Sequence, residues 1–541
     1  MPKDAYVYIA NVWAFGTSLI SICVIGNFIG WLTMKKRTLI LLGFILTKFI
    51  LQYTLISPDY DLQRDEYLHL DMANHLAWGY ISVPPVTSWI AYIIKLLGNG
   101  FFWVKFFPAL FGALTIFIVW KTIEELKGNL FALILGPLAV LVSVILRINI
   151  LFQPNSLDIF FWTLTYFTIV KYINTTNSKW LYATALTIGF GILSKYNIIF
   201  LLLGLVLAVL FTEHRKIFLN KNFYISIAIA FIIVLPNIIW QYQNNFPTLH
   251  QLQDLLKTQL VNMDRFNFVK EQLIYFLSSA VIIIASFIAF FAYQPFKKYR
   301  LFFWTYIITI SLFICLKAKS YYAIGLYPVL IAFGSVYLEN IFAIGWKKKL
   351  RPVVIVWVLG LAIPFILVAF PMQSPMQIQK NSQRYKNLGL LRWEDGKDHN
   401  LPQDFADMIG WSDLAKKVDT TFSKLTDKTH TLVLCDNYGQ AGAINYYSKF
   451  KNINSVSFNA DYINWILLDK EIKNIILVKE ASDDDSTREK EKPFFDTVLL
   501  VGKNNNSFSR EQGTKIFLLQ GARTDINKII AKEIEEHKNY R

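Results

Sequence analysis

Residues 64–90 read RDEYLHLDMANHLAWGYISVPPVTSWI and follow shortly after an apolar run. They combine an acidic pair, a helical pattern, a Gly-Tyr turn and a double proline. Leu68, Met72 and Leu76 recur at helical spacing, which predicts an amphipathic helix from Glu66 to Trp78 along a membrane surface. Ionisable groups beside a membrane are costly, so the acidic pair makes this stretch the first candidate for a functional site.

The composition indicates a polytopic membrane protein. Of 541 residues, 54% are hydrophobic and 17% are charged, and the mean hydropathy is +0.38. Too little polar surface is present to cover a soluble globule of this size. The net charge of +16 is explained by Lys and Arg in cytoplasmic loops and at anionic lipid head groups, so we expect membrane lipids and no nucleic acid as partners. The three cysteines have no metal-ligand spacing, and no disulfide is expected.

About twelve apolar runs are long enough to be considered as spans, since roughly 20 residues cross the hydrocarbon layer. The first run lacks the features of a signal peptide, so it is expected to remain as an anchor. The run 180–212 is interrupted at residues 194–197, so it is either two spans or one broken element. The runs are 6–33, 38–57, 100–121, 129–146, 158–174, 180–194, 196–212, 223–240, 268–292, 301–316, 321–338 and 352–370.

Basic residues fall on alternate loops, which predicts that those loops are cytoplasmic. They are Lys35–Arg37, Lys121 with Lys127, Arg215 and Lys216 with Lys221, Lys297–Arg300, and Lys347–Lys349 with Arg351. The opposite loops then face a periplasmic or other extracytoplasmic space. They include 59–98, 147–158, 194–197, 241–265, 317–322 and everything after Phe370.

The chain changes character after Phe370, where polar residues become frequent and no further span-length run occurs. We therefore predict a membrane domain, 1–370, with juxtamembrane helices in about 64–98, and an extracytoplasmic α/β domain, 371–541. Strands are predicted at 431–435, 474–478, 497–501 and 515–519, and helices at 412–424 and 524–537.

Three carboxylates are candidates for acid–base chemistry. Asp65 and Glu66 lie in the first turn of the predicted helix, where the helix dipole favours an ionised carboxylate. Asp158 stands at the outer end of another span, directly after Gln153-Pro154-Asn155. The alternative is that Asp65 and Glu66 only cap a surface helix.

Cations on the same outer face form a second group of candidates, because Lys and Arg bind phosphate. Lys195, Arg265, Lys317 and Lys319 are the candidates for holding a lipid phosphate. Tyr321, Tyr322, Trp240 and Gln241 either contact a ligand or belong to the interfacial aromatic belt. The histidines have no zinc spacing, so no metal site is predicted. Binding of a divalent ion by the Asp65–His69 pair is the alternative.

Several segments resemble the GT-C glycosyltransferases of the protein-O-mannosyltransferase type, family 39, and especially its bacterial members. Residues 64–90 resemble the first outer loop of that family, and ILFQPNSLDIFFWTL resembles the second. The order of the remaining segments also matches. They are GFGILSKYN, PNIIWQYQNNFPTLHQL, LKAKSYYAIGLYPVL, LPQDFADMIGWSDL, DNYGQAGAINYYSK and DYINW.

The resemblance implies a GT-C fold in a bacterial inner membrane, with the active site on the periplasmic side. It implies an inverting enzyme that moves a sugar from a polyprenyl-phosphate donor to a hydroxyl or phosphate group of a glycolipid such as lipid A, a polysaccharide or a protein. Asp65 would be the base, Glu66 its neighbour and Asp158 a second acid. Candidates for the sugar or acceptor cavity are His69, Tyr80, Pro84, Pro85, Trp240 and Gln241.

One departure from the family pattern concerns the residue before the double proline. Some relatives, including aminoarabinose transferases of lipid A, have a Lys there, whereas this chain has Val83. The phosphate clamp must therefore differ, and that substrate is in doubt. The rival interpretations are a transporter or flippase of lipid-linked glycans, which predicts charges within spans and inverted repeats, and a non-catalytic scaffold.

Overall fold

The computed structural model describes residues 36–258 and 263–539, so the predicted first span at 6–33 lies outside the described residues. The described part is mostly helical, as predicted. Before residue 370 the α-helices are Lys36–Thr54, Arg64–Asp71, Val86–Leu96, Phe101–Glu125, Leu130–Leu141, Val144–Ile148, Pro154–Thr175, Lys179–Ser194, Ile198–Leu210, Lys221–Gln243, Pro247–Thr258, Arg265–Tyr275, Ala280–Ala292, Arg300–Cys315, Tyr327–Ile341 and Leu350–Ala369.

Within those residues, six helices are long and apolar enough to cross a membrane, or eight if each of two bent pairs is one span. Every predicted run that the structure describes is helical, but several helices are short. The run 129–146 divides into Leu130–Leu141 and Val144–Ile148, and the run 180–212 breaks at residues 195–197. The number of spans therefore stays a prediction.

The centre of the bundle is the segment Ser320–Ile341, of which 83% of the most apolar window is buried. Close helix packing is possible there because Gly334 has no side chain. A Cβ atom at Gly334 would lie within 1.9 Å of the Ile282 carbonyl oxygen in the neighbouring helix. Such contacts between small residues and backbone are typical of membrane helix interfaces.

Three of the predicted basic loops meet at one end of the bundle. Lys171 pairs with Glu125 at 2.6 Å, and Lys298 donates to Asn174 at 2.6 Å. His214 contacts the Lys298 carbonyl oxygen at 2.6 Å. The Arg64–Asp71 helix, here called the acidic helix, lies at the other end, which we call the site end.

The acidic helix differs from the predicted amphipathic helix. It ends at Asp71 and continues only as a 3₁₀ turn, Met72–Asn74, and the Tyr80 hydroxyl then bonds to the carbonyl of His75 at 3.0 Å. Leu76, expected on the apolar stripe, is 49% exposed, whereas Leu68 and Met72 are buried. The prediction of a surface helix up to Trp78 was therefore wrong.

After residue 370 the chain forms a small mixed sheet with helices, which confirms the predicted α/β structure. The sheet order is β2-β1-β3-β5-β4, with the β1–β2 and β1–β3 pairs parallel and the β3–β5 and β4–β5 pairs antiparallel. The strands are β1 Thr431–Cys435, β2 Ser455–Ser457, β3 Asn474–Lys479, β4 Phe495–Lys503 and β5 Lys515–Ala522. The α-helices are Pro375–Lys380, Ser382–Asn387, Gln403–Ala406, Trp411–Ser423, Tyr438–Tyr447 and Ile526–Asn539.

The elements of this part that escaped the sequence analysis include the three-residue strand β2, three short helices before residue 410, and the helix Tyr438–Tyr447, here called the tyrosine helix. The tyrosine helix packs directly on the acidic helix, and Tyr67 is part of a buried cluster with Trp411 and Tyr462. The Tyr67 and Trp411 rings meet edge to face, with centroids 5.8 Å apart. The acidic helix thus buries its apolar residues against the C-terminal region and not against lipid.

Candidate active site

Asp65 lies at the start of the acidic helix, where a capping box formed by Gln63 and Glu66 fixes the first turn. Its side chain is half-buried and each carboxylate oxygen accepts one hydrogen bond. Tyr438 donates to Oδ1 at 2.7 Å, and Gln153 donates to Oδ2 at 3.0 Å. Each oxygen retains a second lone pair, so Asp65 is oriented and can still accept a proton.

Glu66 is oriented away from Asp65 and is fully buried. Its two oxygens both lie 2.7 Å from the Lys105 ammonium. The Phe152 backbone N–H donates to one oxygen at 2.7 Å, and the Gln63 N–H donates to the other at 2.8 Å. All these contacts tie Glu66 to other parts of the protein. They favour a role in holding the acidic helix on the bundle over the predicted catalytic role.

A chain of hydrogen bonds leads from Asp65 to Lys195. Gln153, which donates to Asp65, accepts from Asn155 at 2.9 Å. Asn155 in turn accepts from the Lys195 ammonium at 2.6 Å. Lys195 stands where two helices break, just after Lys179–Ser194. The site end therefore brings together a carboxylate and an ammonium that are 130 residues apart in sequence.

Asp158 is buried and lies close enough to Lys195 for electrostatic interaction. Its two oxygens accept from the Trp162 indole at 2.7 Å and the Asn197 amide at 2.8 Å. Asn197 also donates to the Tyr322 carbonyl oxygen at 2.9 Å. These contacts suit an acid that sets the local field and holds the broken helix in place.

The predicted cations differ in their surroundings. The Lys195 ammonium lies over the Tyr322 ring at 4.6 Å and near the Tyr321 ring at 5.1 Å, which brings both predicted tyrosines to it. Lys319 is half-buried and lies 3.7 Å from the Glu394 carboxylate. Lys317 has left-handed backbone at the end of the preceding helix, with φ 51°.

Arg265 is exposed, and its guanidinium binds the carbonyl oxygen of Ile314 at 3.1 Å and that of Cys315 at 3.5 Å. These are the last carbonyls of the helix Arg300–Cys315. Arg265 therefore caps a helix, which accounts for it without a phosphate ligand.

The predicted cavity residues mostly hold loops. Tyr80 closes the turn after the acidic helix, and Pro84 and Pro85 are buried just before the helix Val86–Leu96. Trp240 packs on Gly79, where a Cβ would come within 2.3 Å of its ring. Gln241 donates to Tyr196 at 3.0 Å and to Thr248 at 2.8 Å. These contacts favour structural roles.

His69 lies one helical turn after Asp65 and is 5% exposed, and its Nδ1 has no hydrogen-bond partner. Burial lowers the pKa of His69 to about 4, although the charge of Asp65 acts in the opposite direction. The imidazole is therefore neutral at physiological pH. In residues 36–258 and 263–539 no group of three His, Cys, Asp or Glu side chains could hold a metal ion.

Sequence reasoning missed Tyr438, Gln153, Asn155 and Lys105. Lys105 gave a usable signal, because an ionisable residue within an apolar span usually has a specific partner. Gln153 and Asn155 flank a proline that begins a helix, and the pattern alone does not separate a cap from a site residue. Tyr438 lies in DNYGQAGAINYYSK, one of the segments that resemble the family, but nothing in that pattern links it to Asp65, which lies 373 positions away in the chain.

Three comparisons place this architecture among known proteins. The family model for dolichyl-phosphate-mannose-protein mannosyltransferases matches residues 82–240. Lipid A galacturonosyltransferase RgtD from Rhizobium johnstonii is 24% identical over 227 residues, which is 41% of this chain and 46% of the relative. The chain thus matches about half the length of that curated relative.

The fold also resembles ArnT from Cupriavidus metallidurans. The structure bound to undecaprenyl phosphate has a TM-score of 0.59 at 14% identity and covers 91% of this chain and 98% of that chain. The apo structure gives a TM-score of 0.58 at 14% identity, with 90% and 98% covered. Identities this low show the fold alone.

The fold is that of a multi-pass membrane protein, a helical bundle like that of ArnT followed by a C-terminal α/β region. Its matched family, curated relative and structural neighbour are all glycosyltransferases. The sequence similarity to the family model and to the curated relative covers less than half of this chain.

Proposed function

We propose that this protein is an inverting glycosyltransferase that uses a polyprenyl-phosphate-linked sugar. The observation that carries the proposal is the hydrogen-bonded chain from Asp65 to Lys195 at the site end. A carboxylate that can take a proton and a cation that can hold a phosphate are the two groups that this transfer needs. The undecaprenyl phosphate bound by the structurally similar ArnT supports a carrier of that class.

In this mechanism Asp65 removes the proton from an acceptor hydroxyl while the acceptor oxygen attacks the anomeric carbon of the sugar. The bond from that carbon to the phosphate oxygen breaks, and its electron pair leaves with the polyprenyl phosphate. Lys195 and Lys319 hold the charge of the leaving phosphate. Asp158 keeps the Lys195 loop in position, and Glu66 anchors the acidic helix to Lys105.

We propose a glycolipid as the acceptor, because the relative RgtD is a lipid A galacturonosyltransferase. A polysaccharide or protein acceptor is the alternative that the assay has to separate. The basic loops at the opposite end of the bundle support a site that faces the periplasm of a bacterial inner membrane. On this proposal, residues 1–370 form the membrane domain that holds the donor, and residues 371–541 form an extracytoplasmic domain.

The test is the Asp65→Asn variant, which keeps the shape of the side chain and loses the proton acceptor. Loss of a general base slows a reaction by about 10²–10⁴-fold. Transfer from purified polyprenyl-phosphate sugars to an envelope extract is measured at equal protein level, and the labelled product is identified by mass spectrometry as lipid, polysaccharide or protein.

The matched control is Asp59→Asn, because Asp59 precedes the acidic helix and is exposed. This variant is expected to transfer sugar at the wild-type rate. Turnover by Asp65→Asn close to that of the wild type would contradict the assignment of the base.

A further inference from the structure

The acidic helix and the tyrosine helix approach each other closely because two glycines face the acidic helix. A Cβ at Gly439 would lie 2.6 Å from Cγ of Arg64, and a Cβ at Gly442 would lie 2.8 Å from Cβ of Tyr67. The glycines are three residues apart, as are Arg64 and Tyr67, so both contacts lie on one face of each helix. Larger residues at either glycine would force the helices apart.

Hydrogen bonds at both ends fix the register of this helix pair. At the first end Tyr438 donates to Asp65 at 2.7 Å. At the second end Asn445 donates to Asp71 at 2.6 Å, and Tyr462 donates to the same carboxylate oxygen at 2.8 Å. The two helices therefore run parallel, and the first turn of one lies against the first turn of the other.

Tyr438 itself is held on two sides. The Arg64 guanidinium carbon lies 4.3 Å from the centre of its ring, which is within the range of a cation–π contact. Burial and the neighbouring Asp65 carboxylate raise the pKa of Tyr438 well above its usual range. The hydroxyl stays protonated and donates to Asp65 for that reason.

We propose that Tyr438 is a positioning residue for Asp65, so that the C-terminal region completes the active site. The inference rests on the proposed function, in which Asp65 is the base. Tyr438 and Gln153 hold one carboxylate oxygen each, which sets the plane of the carboxylate toward the acceptor. Without the hydroxyl, Asp65 keeps its charge but loses one of the two contacts that orient it.

The experiment compares Tyr438→Phe with Tyr447→Phe. Tyr447 lies at the other end of the tyrosine helix, and its hydroxyl is 3.3 Å from that of Tyr67, so the control removes an interface hydroxyl that does not contact Asp65. For Tyr438→Phe we expect kcat to fall by about 10- to 100-fold, the scale of one hydrogen bond to a charged group. The KM for the polyprenyl-phosphate sugar should stay within about twofold of the wild type, because Tyr438 does not hold the phosphate.

A second variant tests the same inference through the helix contact. Gly442→Val should separate the helices and lower kcat while the membrane helices remain folded, as followed by thermal unfolding in detergent. Equal losses of kcat in Tyr438→Phe and Tyr447→Phe, or a change in donor KM alone, would overturn the inference.

The two proposals fail in different ways. If Asp65→Asn is inactive and Tyr438→Phe keeps full kcat, only the positioning role is wrong. If Asp65→Asn keeps turnover, the proposed base is wrong whatever Tyr438 does.

Discussion

The two sides of the acidic helix present adjacent carboxylates to different surroundings. On one side Glu66 is sealed against the membrane helix Phe101–Glu125 by Lys105, and both side chains are fully buried. On the other side Asp65 faces the C-terminal region and the loop at Gln153, where it is half-buried and still able to accept a proton. Under the proposed function, two adjacent carboxylates thus have different tasks, structural for Glu66 and catalytic for Asp65, because their partners differ.

The largest effect is expected for Lys105→Met, which breaks the buried ion pair with Glu66. The substitution leaves the buried Glu66 carboxylate without its cation, and breaking a buried pair costs about 3–5 kcal/mol. The free energy of unfolding should fall by that amount, measured from thermal or denaturant unfolding in detergent.

The matched control for this change is Lys48→Met in the neighbouring helix Lys36–Thr54. Lys48 is 1% exposed, and in the described residues its ammonium donates to Gln52 at 2.8 Å and has no ion pair. Removing that cation leaves no charge unpaired, although the buried Gln52 oxygen loses this donor, so the loss should be about 1–3 kcal/mol and smaller than for Lys105→Met. Equal destabilisation by both substitutions would show that the Glu66 pair is not the source of the effect.

The sequence predicted the helical bundle and the α/β region, because apolar periodicity is a local signal. It also gave Asp65, Asp158, Lys195 and the tyrosines at 321 and 322 as candidates, and the fold gathers these residues at the site end. It did not separate Asp65 from Glu66, since the difference depends on Lys105 and Tyr438, which are distant in sequence. For the same reason the Arg64–Asp71 helix was expected on lipid, when its apolar residues in fact meet Trp411.

The next effect concerns phosphate binding near the Asp65 side of the acidic helix. Lys195→Met removes the ammonium that Tyr321 and Tyr322 surround, and we expect the KM for the polyprenyl-phosphate sugar to rise about tenfold, as for loss of a charge-assisted hydrogen bond. The comparison variant is Arg265→Ala, whose guanidinium caps a helix, and its donor KM should not change. A rise in KM for Arg265→Ala and none for Lys195→Met would reverse the two assignments. Initial rates at varied donor concentration decide between them.

The smallest effect is a pH dependence of the free energy of unfolding. It is expected from His69, which lies in the acidic helix one turn after Asp65. Burial in the folded protein lowers the pKa of His69 from 6.5 to about 4, so the folded state binds fewer protons and stability is lost as pH falls through 6.5 toward 4. Between pH 7.5 and pH 5.5 this one group should cost about 1 kcal/mol of the free energy of unfolding. In His69→Leu, which cannot be protonated, the loss over the same interval should be smaller by that amount. Parallel curves for the wild type and His69→Leu would show that the imidazole is not buried in its neutral form, because only a group whose pKa changes on unfolding contributes to this slope.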